Sequence, residues 1–281
     1  MTDSLISRRT VLAATGAAAL TVGAPLRVSA ADAKRKPTAR GGARPPTLRN
    51  THGKILYIND DGTERGREWF SVTWRRDGQI TLRAYCEIDD GEVERDVVQT
   101  MTSSFAPIDC FVRLHVRGKF LGSGMMRFSD TEAECDVYNV EVGRLRQVIK
   151  LDRPVPTLVT HPLSTDALLA AQFDHSKSER VQYWEGGMTS SPLLDGASGP
   201  LLSPNGRRAI EYVGRERITV PAGTFDTHHY RLLLSPRPDG TKTTYEFWAT
   251  HPDYVFVRGA VSGYLKNKTG SGTYELVEYE G

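Results

Sequence analysis

The sequence predicts an all-β domain whose strands are mainly antiparallel. Apolar and polar residues alternate along most of the chain, which is the pattern of strands that bury one face. Glycine and aspartate residues separate the alternating segments, as turns separate the strands of a meander. The 281 residues are 39% hydrophobic and 25% charged. This composition is typical of a globular protein and excludes a wholly disordered chain.

The N-terminus has the organisation of an export signal. Residues 7–12, with sequence S-R-R-T-V-L, precede a weakly apolar stretch of Ala, Gly and Thr over residues 13–25, and small residues then give cleavage sites near Ala30 or Ala33. This order resembles a twin-arginine signal. We therefore expect residues 1–33 to be removed, the twin-arginine translocon to be the partner during export, and the mature protein to be periplasmic or secreted. The apolar stretch is shorter than the ~20 residues that span a bilayer, so no stable membrane insertion is expected.

Charge is unevenly distributed along the chain. The net charge is +2, but residues 34–50 carry six basic residues and no acid, so we predict a basic disordered linker there. Residues 51–281 are predicted to form a single antiparallel β domain. Without the linker and the signal this domain is mildly acidic, whereas proteins that bind nucleic acid through phosphate contacts need a clustered basic face. No nucleic-acid partner is expected.

The predicted strands begin after the linker. Phe70, Val72 and Trp74 alternate with polar residues until Asp77-Gly78 supplies a hairpin turn, and residues 80–88 continue the alternation on the next strand. Their spacing is typical of an antiparallel meander. The further predicted strands are Cys110–Val116, Lys119–Phe128, Glu132–Val140, Gly143–Leu151, Arg208–Arg215, Arg217–Val220, Phe225–Leu234, Lys242–Ala249, Val255–Tyr264 and Gly272–Tyr279.

One short helix and one long loop interrupt the strands. Residues 167–173 are mostly good helix formers, Ser164 or Thr165 can cap them, and Asp166 suits the first turn. Residues 188–208 are rich in Ser, Pro, Gly and Asn and are predicted to be a long loop. Loops of this length are often functional lids or mobile segments.

The sequence contains no motif for a metal or cofactor. Cys86, Cys110 and Cys135 include no C-x-x-C pair, and the chain has no H-E-x-x-H, G-x-G-x-x-G or Walker sequence. The adjacent residues His228 and His229 would point to opposite faces of a strand, so they cannot chelate one metal together. We therefore expect no cofactor, no metal site and no essential disulfide.

The second half of the chain resembles a known family. Residues 212–225, with sequence Y-V-G-R-E-R-I-T-V-P-A-G-T-F, precede a strand, Trp248 and the valine-rich residues 255–257, and together they resemble the DUF3108 family of exported bacterial proteins. Residues 62–66 are similar to the start of that family, while the inserted helix and the loop after Met188 depart from it. The resemblance implies a curved sheet or incomplete β-barrel with the helix and the long loop near its concave face. It implies no established reaction.

The strand that follows this segment offers candidate functional side chains. An irregularity after the Gly223 turn would place His228 on the same face as Phe225, so we choose His228 as the inward imidazole; regular alternation would choose His229. The candidates for acid–base catalysis are His228, His229 and Tyr230. The candidates for ligand binding along the concave face are Arg83, Tyr85, Arg113, Tyr183, Trp184, Arg231 and Trp248.

These residues support two hypotheses. The first is a binding protein that encloses a lipophilic or aromatic small molecule in the concavity, since such pockets are mostly apolar with a few placed polar groups. The alternative is a cofactor-independent lyase, isomerase or hydrolase with a His/Tyr acid–base pair. The binding protein is favoured because no catalytic group has a diagnostic spacing. A third interpretation, assembly through an exposed sheet edge, follows from the fold alone.

Replacement of Arg8 and Arg9 by lysine should leave uncleaved precursor in the cytoplasm, because the twin-arginine translocon recognises the arginine pair. Immunoblots of cytoplasmic and periplasmic fractions measure this retention. N-terminal sequencing of the exported parent protein should find a start near Ala30 or Ala33. An exported fraction that still begins at Met1 would contradict the signal.

Overall fold

A 14-stranded antiparallel sheet dominates the structure. The computed structural model describes residues 48–281 apart from 194–195, 236–239, 264 and 266, so the predicted signal and all but the last residues of the predicted linker lie outside the described residues. Eight consecutive strands form a meander in which each strand pairs with the next. They are β1 (Arg49–Asn59), β2 (Glu64–Trp74), β3 (Ile80–Ile88), β4 (Val93–Met101), β5 (Pro107–Val116), β6 (Lys119–Phe128), β7 (Glu132–Asn139) and β8 (Gly143–Lys150).

The second half of the chain adds a central segment and a second meander. The central segment, residues 151–207, contains β9 (Leu158–Val159), α1 (Leu163–Asp166), a 3₁₀ helix (Ala167–Gln172), β10 (Val181–Trp184), β11 (Met188–Thr189) and β12 (Ser203–Pro204). The second meander contains β13 (Arg208–Val220), β14 (Gly223–Leu232), β15 (Thr244–Ala249), β16 (Phe256–Ser262) and β17 (Gly272–Glu280).

Pairing of β1 with β17 joins the two meanders into one sheet, with Tyr57 opposite Tyr274. The two ends of the sheet are β8 and β10, and no strand pairing within the described residues closes it into a barrel. The structure therefore confirms the predicted class, an antiparallel and incomplete β-barrel with one short helix. Among the described residues, no helix has the length and apolar character of a membrane span.

Most predicted strands are confirmed, and the missed ones have a physical explanation. The Asp77-Gly78 turn connects β2 and β3, and Gly78 adopts a φ of 85° that suits glycine. The sequence did not predict β1 or β4. On β4 the buried positions alternate between Val93, Arg95, Val97 and Gln99, so a search for alternating apolar residues fails there.

The central segment fills the concave face of the sheet. Leu163, Leu168 and Phe173 from its helical part are buried against apolar side chains of β1–β3 and β13–β17. Leu158, Met188 and other apolar residues of the same segment pack against β4–β7 in a second core cluster. The hydrophobic core therefore lies between the sheet and residues that the chain itself inserts.

Two buried charged residues hold this segment against the sheet. Glu68 on β2 is 0% exposed and accepts hydrogen bonds from the backbone N–H groups of Leu163 (2.6 Å) and Ser164 (3.1 Å). Arg95 on β4 is also 0% exposed. It donates to the carbonyls of Thr160 (2.9 Å) and Gly196 (2.8 Å) and to the Ser190 hydroxyl (2.7 Å). Because a buried charge is costly unless hydrogen-bonded, these contacts fix where residues 160–164 lie.

The helix differs from its prediction in length and in its cap. Only four residues are α-helical, and a 3₁₀ helix continues to Gln172. Pro162 occupies the N-cap position without a side-chain cap bond. Ser164 and Thr165 lie inside the helix, so the prediction that one of them caps it was wrong. Glu68 supplies the acceptor instead, because it reaches the free N–H groups of the first turn from the neighbouring sheet.

The long loop lies near the concave face as predicted, but its described part is packed rather than lid-like. Met188 and Leu202 are 3% exposed. β11 pairs with β12 and, in parallel, with β9, and these pairs satisfy backbone groups that a lid would leave to solvent. Backbone pairing and the buried residues Met188 and Leu202 therefore hold the described part of this loop against the core.

The three cysteines are free and buried. Cys110 on β5 and Cys135 on β7 both lie beside Met126 of the intervening strand β6. Two strand spacings of ~4.8 Å place their Cα atoms beyond the ~7 Å limit for a disulfide.

Replacement of Arg95 by methionine should lower the free energy of unfolding by about 2–4 kcal/mol, because it leaves two buried carbonyls and a buried hydroxyl without a donor. Urea denaturation at neutral pH measures the change. Arg83→Met is the matched control, since Arg83 is exposed on the other face of the adjacent strand and should change stability by about 0.5 kcal/mol or less. Equal effects of the two substitutions would contradict the anchoring role.

Asp166 should make stability depend on pH. Burial raises the pKa of its carboxyl to about 7, although the Tyr245 hydroxyl donates to it at 2.8 Å. The folded-state pKa lies above the unfolded value of ~3.9, so this group destabilises the protein progressively as pH rises from about 4 to 7, by at most about 4 kcal/mol.

Asp166→Asn should therefore be more stable than the parent at pH 8 and nearly equal to it at pH 4, because an amide oxygen still accepts the Tyr245 bond without ionising. Denaturation curves between pH 4 and 8 measure the difference. Asp226→Asn, at a carboxylate whose side chain is 85% exposed, is the control. Parallel pH profiles of parent and Asp166→Asn would contradict the assignment.

Candidate functional site

An imidazole cluster lies where the chain leaves the 3₁₀ helix and crosses the inner face of β13 and β14. We define it as His175, His228, Tyr230 and His251. His175 follows the helix, His228 and Tyr230 are on β14, and His251 is in the turn between β15 and β16. The His228 ring lies 4.8 Å from that of His175 and stacks on that of His251 at 5.0 Å and 7°. Aromatic rings of the hydrophobic core surround the cluster: Phe173, Tyr212 and Tyr254.

Three polar atoms meet at the buried side of the cluster. The Tyr230 hydroxyl lies 2.8 Å from Nε2 of His175 and 3.3 Å from Nδ1 of His228, and the two nitrogens are 3.4 Å apart. A phenol has one hydrogen to donate. If this hydrogen lies in the shorter contact, the Tyr230 hydroxyl donates to His175 and accepts from His228. The three groups then form a chain of hydrogen bonds from a buried imidazole to an exposed one.

Burial sets the protonation of the cluster. Burial is the largest cause of the lowered pKa of His228, which is about 4. Electrostatic interactions with His175, His251 and Arg215 lower this pKa further. Burial also lowers the pKa of His175. Burial raises the pKa of Tyr230 well above its ordinary value. At neutral pH the two imidazoles and the phenol are therefore uncharged.

The choice of His228 as the inward histidine agrees with the structure. Thr227 and His228 are both buried, which breaks the alternation of burial on β14, and β13 has a register shift between Tyr212 and Gly214, opposite Tyr230 and His229. His228, Tyr230 and Leu232 then continue on the inner face. The pairing of β14 with β13 is continuous from Gly223 to His229, so the irregularity predicted after Gly223 stays a prediction, and His229 lies on the outer face beside Trp248.

His229 belongs to a separate network on the outer face. Its ring stacks on Trp248 at 4.1 Å, and its Nε2 lies 3.0 Å from the Glu246 carboxylate. Arg231 pairs with Glu246 and with Glu211. The Trp248 indole donates to Glu216 at 2.7 Å. Three predicted site residues (His229, Arg231 and Trp248) thus already have partners within the sheet, and they do not face His228.

The other predicted ligand-binding residues are also dispersed. Tyr85 stacks on Trp69 on the outer face of β2 and β3, and Arg83 and Arg113 occupy the same face of β3 and β5. Tyr183 on the edge strand β10 is 58% exposed and lies under the Arg207 guanidinium. Trp184 packs against the main core. The structure does not bring these five residues to one surface, and their role in binding stays a prediction.

The structure has a small cavity on the concave face and an open groove on the outer face. A cavity of about 10 Å³ lies between Phe70, Leu82, Leu168 and Phe256, which is room for about one water molecule. A wider, open groove of about 290 Å³ lies on the outer face near Phe111 and Tyr138.

Sequence reasoning found His228 and Tyr230 but missed His175 and His251. His175 directly follows the predicted helix, and His251 precedes a proline in a turn. Neither position has a local pattern that predicts function, because the contacts join residues 53 to 55 positions apart. Within the described residues, no three side chains of His, Cys, Asp or Glu are placed to hold one metal ion.

Comparisons with solved structures find three proteins of low structural similarity to this chain. The β-barrel-like protein of unknown function DUF1849 from Brucella abortus superposes with a TM-score of 0.49 and 7% identity over 83% of this chain and 97% of that one. A candidate lipoprotein from Parabacteroides distasonis gives a TM-score of 0.30. A candidate exported protein with a YmcC-like fold from Bacteroides fragilis gives 0.32. Both are 14% identical over 82% of this chain and 95% of their own.

These values carry no conclusion about activity. No family profile matches the chain, and no curated protein matches it. The resemblance to the DUF3108 family therefore stays a prediction.

Proposed function

We propose that this chain is an exported protein of the bacterial cell envelope that binds a small molecule at the imidazole cluster. The site is the rim of the barrel, where His175 and His251 are exposed, rather than the centre of the concavity. One observation carries the proposal: uncharged donor and acceptor atoms of His175, His228 and Tyr230 converge within 3.4 Å of one another, and His175 is exposed.

The central segment fills the concave face of the sheet, and this supports a binding site at the rim. A ligand in the centre of the barrel would have to displace Leu168, Met188 and their neighbours, which are buried in two core clusters. At the rim a ligand meets the cluster without that cost. The aromatic rings of Phe173, Tyr212 and Tyr254 favour a ligand that has an aromatic or lipophilic part and one polar group, because such rings stack on flat apolar surfaces.

Acid–base catalysis is the second candidate function. The relay of Tyr230 between His228 and His175 favours it, since a hydrogen-bonded His/Tyr pair can accept a proton from a substrate and return it. In that case the chain is a cofactor-independent lyase, isomerase or hydrolase. His175 is then the group that touches the substrate, and Tyr230 and His228 position it.

The twin-arginine signal and membership of the DUF3108 family belong to the same proposal. Export places the cluster in the periplasm or outside the cell, where a soluble envelope molecule reaches it. The order of charged, apolar and small residues over positions 1–33 supports export.

Native mass spectrometry of protein purified from its own periplasm should find a bound small molecule. His228→Ala should weaken rebinding of that molecule by at least about tenfold, because it removes a buried hydrogen-bond partner. His229→Ala is the matched control: it changes the adjacent imidazole on the opposite face and should alter affinity by less than about twofold. Equal losses in both variants, or no loss in either, would remove the cluster from the site.

Incubation of the released molecule with the parent protein separates the two functions. A molecule recovered unchanged supports binding. A converted one supports catalysis, and His175→Ala should then reduce turnover by ~10² or more while affinity changes far less. Circular dichroism confirms that each variant is folded.

A further inference from the structure

The three converging donor atoms of the imidazole cluster form a triangle of the size that a metal ion needs. Its edges are 2.8 Å from Tyr230 Oη to His175 Nε2, 3.3 Å from Tyr230 Oη to His228 Nδ1, and 3.4 Å between the two nitrogens. Tetrahedral coordination with bonds of about 2.0–2.1 Å separates neighbouring ligand atoms by about 3.3 Å. Two edges already have this length, and the third needs to open by about 0.5 Å.

We propose that His175, His228 and Tyr230 bind one divalent late transition-metal ion, Zn²⁺ or Cu²⁺. Imidazole nitrogen suits both ions, and a phenolate oxygen adds an anionic ligand. This inference rests on the proposed function, because it names the ion that occupies the same cluster and holds the polar group of its ligand. It also departs from the expectation of no metal site, which followed from sequence motifs alone.

Metal binding removes one proton from the cluster. The hydroxyl bond of Tyr230 breaks, the phenolate oxygen donates its electron pair to the ion, and the proton goes to solvent. His175 and His228 bind through the ring nitrogens that face each other, without loss of a proton from the neutral rings. A fourth position stays open toward the exposed side of the cluster for water or a ligand.

The charged groups around the cluster have opposite effects on the binding of a cation. Arg215 on β13 places a positive charge near both ligand histidines, and Asp174 places a negative one beside His175. Arg215 is exposed, so solvent and salt screen its repulsion of a cation. His251 stacks on His228. Tyr254 from the same β15–β16 turn and Tyr212 on β13 are the titratable groups that act on Tyr230.

Titration of chelator-treated protein without a histidine tag tests the proposal. Isothermal titration calorimetry should find one Zn²⁺ per chain. His175→Ala should weaken binding by at least about tenfold, since even loss of an outer partner of a ligand costs this much. His175 is exposed, so this variant keeps the core intact if His228→Ala fails to fold. His229→Ala should bind as the parent does.

The Cu²⁺ complex gives spectroscopic signals that a change in folding alone would not produce. The Cu²⁺ form should show a visible charge-transfer band from the phenolate, and Tyr230→Phe should remove that band while imidazole coordination remains in the electron paramagnetic resonance spectrum. Arg215→Gln should tighten Zn²⁺ binding severalfold at low salt, because it removes the opposing charge.

The results separate this inference from the proposed function. Absence of stoichiometric Zn²⁺ binding, or equal weakening in His175→Ala and His229→Ala, overturns the metal site. If a periplasmic small molecule still rebinds in a His228-dependent way under those conditions, the proposed function stands alone. If Zn²⁺ binds as described and no small molecule is found, the metal site stands and the proposed function fails.

Discussion

The placement of residues 160–164 against the sheet is the constraint on which the rest of the structure depends. Glu68 fixes one end through the N–H groups of Leu163 and Ser164, and Arg95 fixes the other through the carbonyl of Thr160. Both charges are fully buried, and each is hydrogen-bonded to the inserted segment. A sheet of this size leaves a wide apolar face, and the chain covers that face with its own residues because these two side chains hold them there.

That cover bears on the proposed binding site. Helical residues pack against β1–β3 and β13–β17, and the described loop packs against β4–β7, so the proposed function places the ligand at the rim. The 3₁₀ helix ends there and delivers His175 to the inner face of β14. The anchors therefore act on the candidate site indirectly: they set the path of the segment that carries one of its three donor atoms.

β14 shows how one strand serves two different environments. Its inner face carries His228 and Tyr230 in a cluster of neutral groups, while its outer face carries His229 and Arg231 in a network with Glu211 and Glu246. Adjacent imidazoles thus have opposite surroundings. The inner one is desolvated and near other imidazoles; the outer one is bound to carboxylate. Because of this difference, substitution of His229 is a direct control for substitution of His228.

Local alternation in the sequence by itself determined the all-β class, most strand positions and the Asp77-Gly78 turn, because these depend on neighbours in the chain. It also offered His228 as the inward histidine, but on an irregularity after Gly223 that the register of β14 with β13 does not show. Only the tertiary structure decided that the central segment fills the barrel, that β4 is a strand with Arg95 facing inward, and that His175 meets His228. Those features depend on contacts between residues 53 to 101 positions apart, and no local pattern encodes a contact whose two halves lie on different elements.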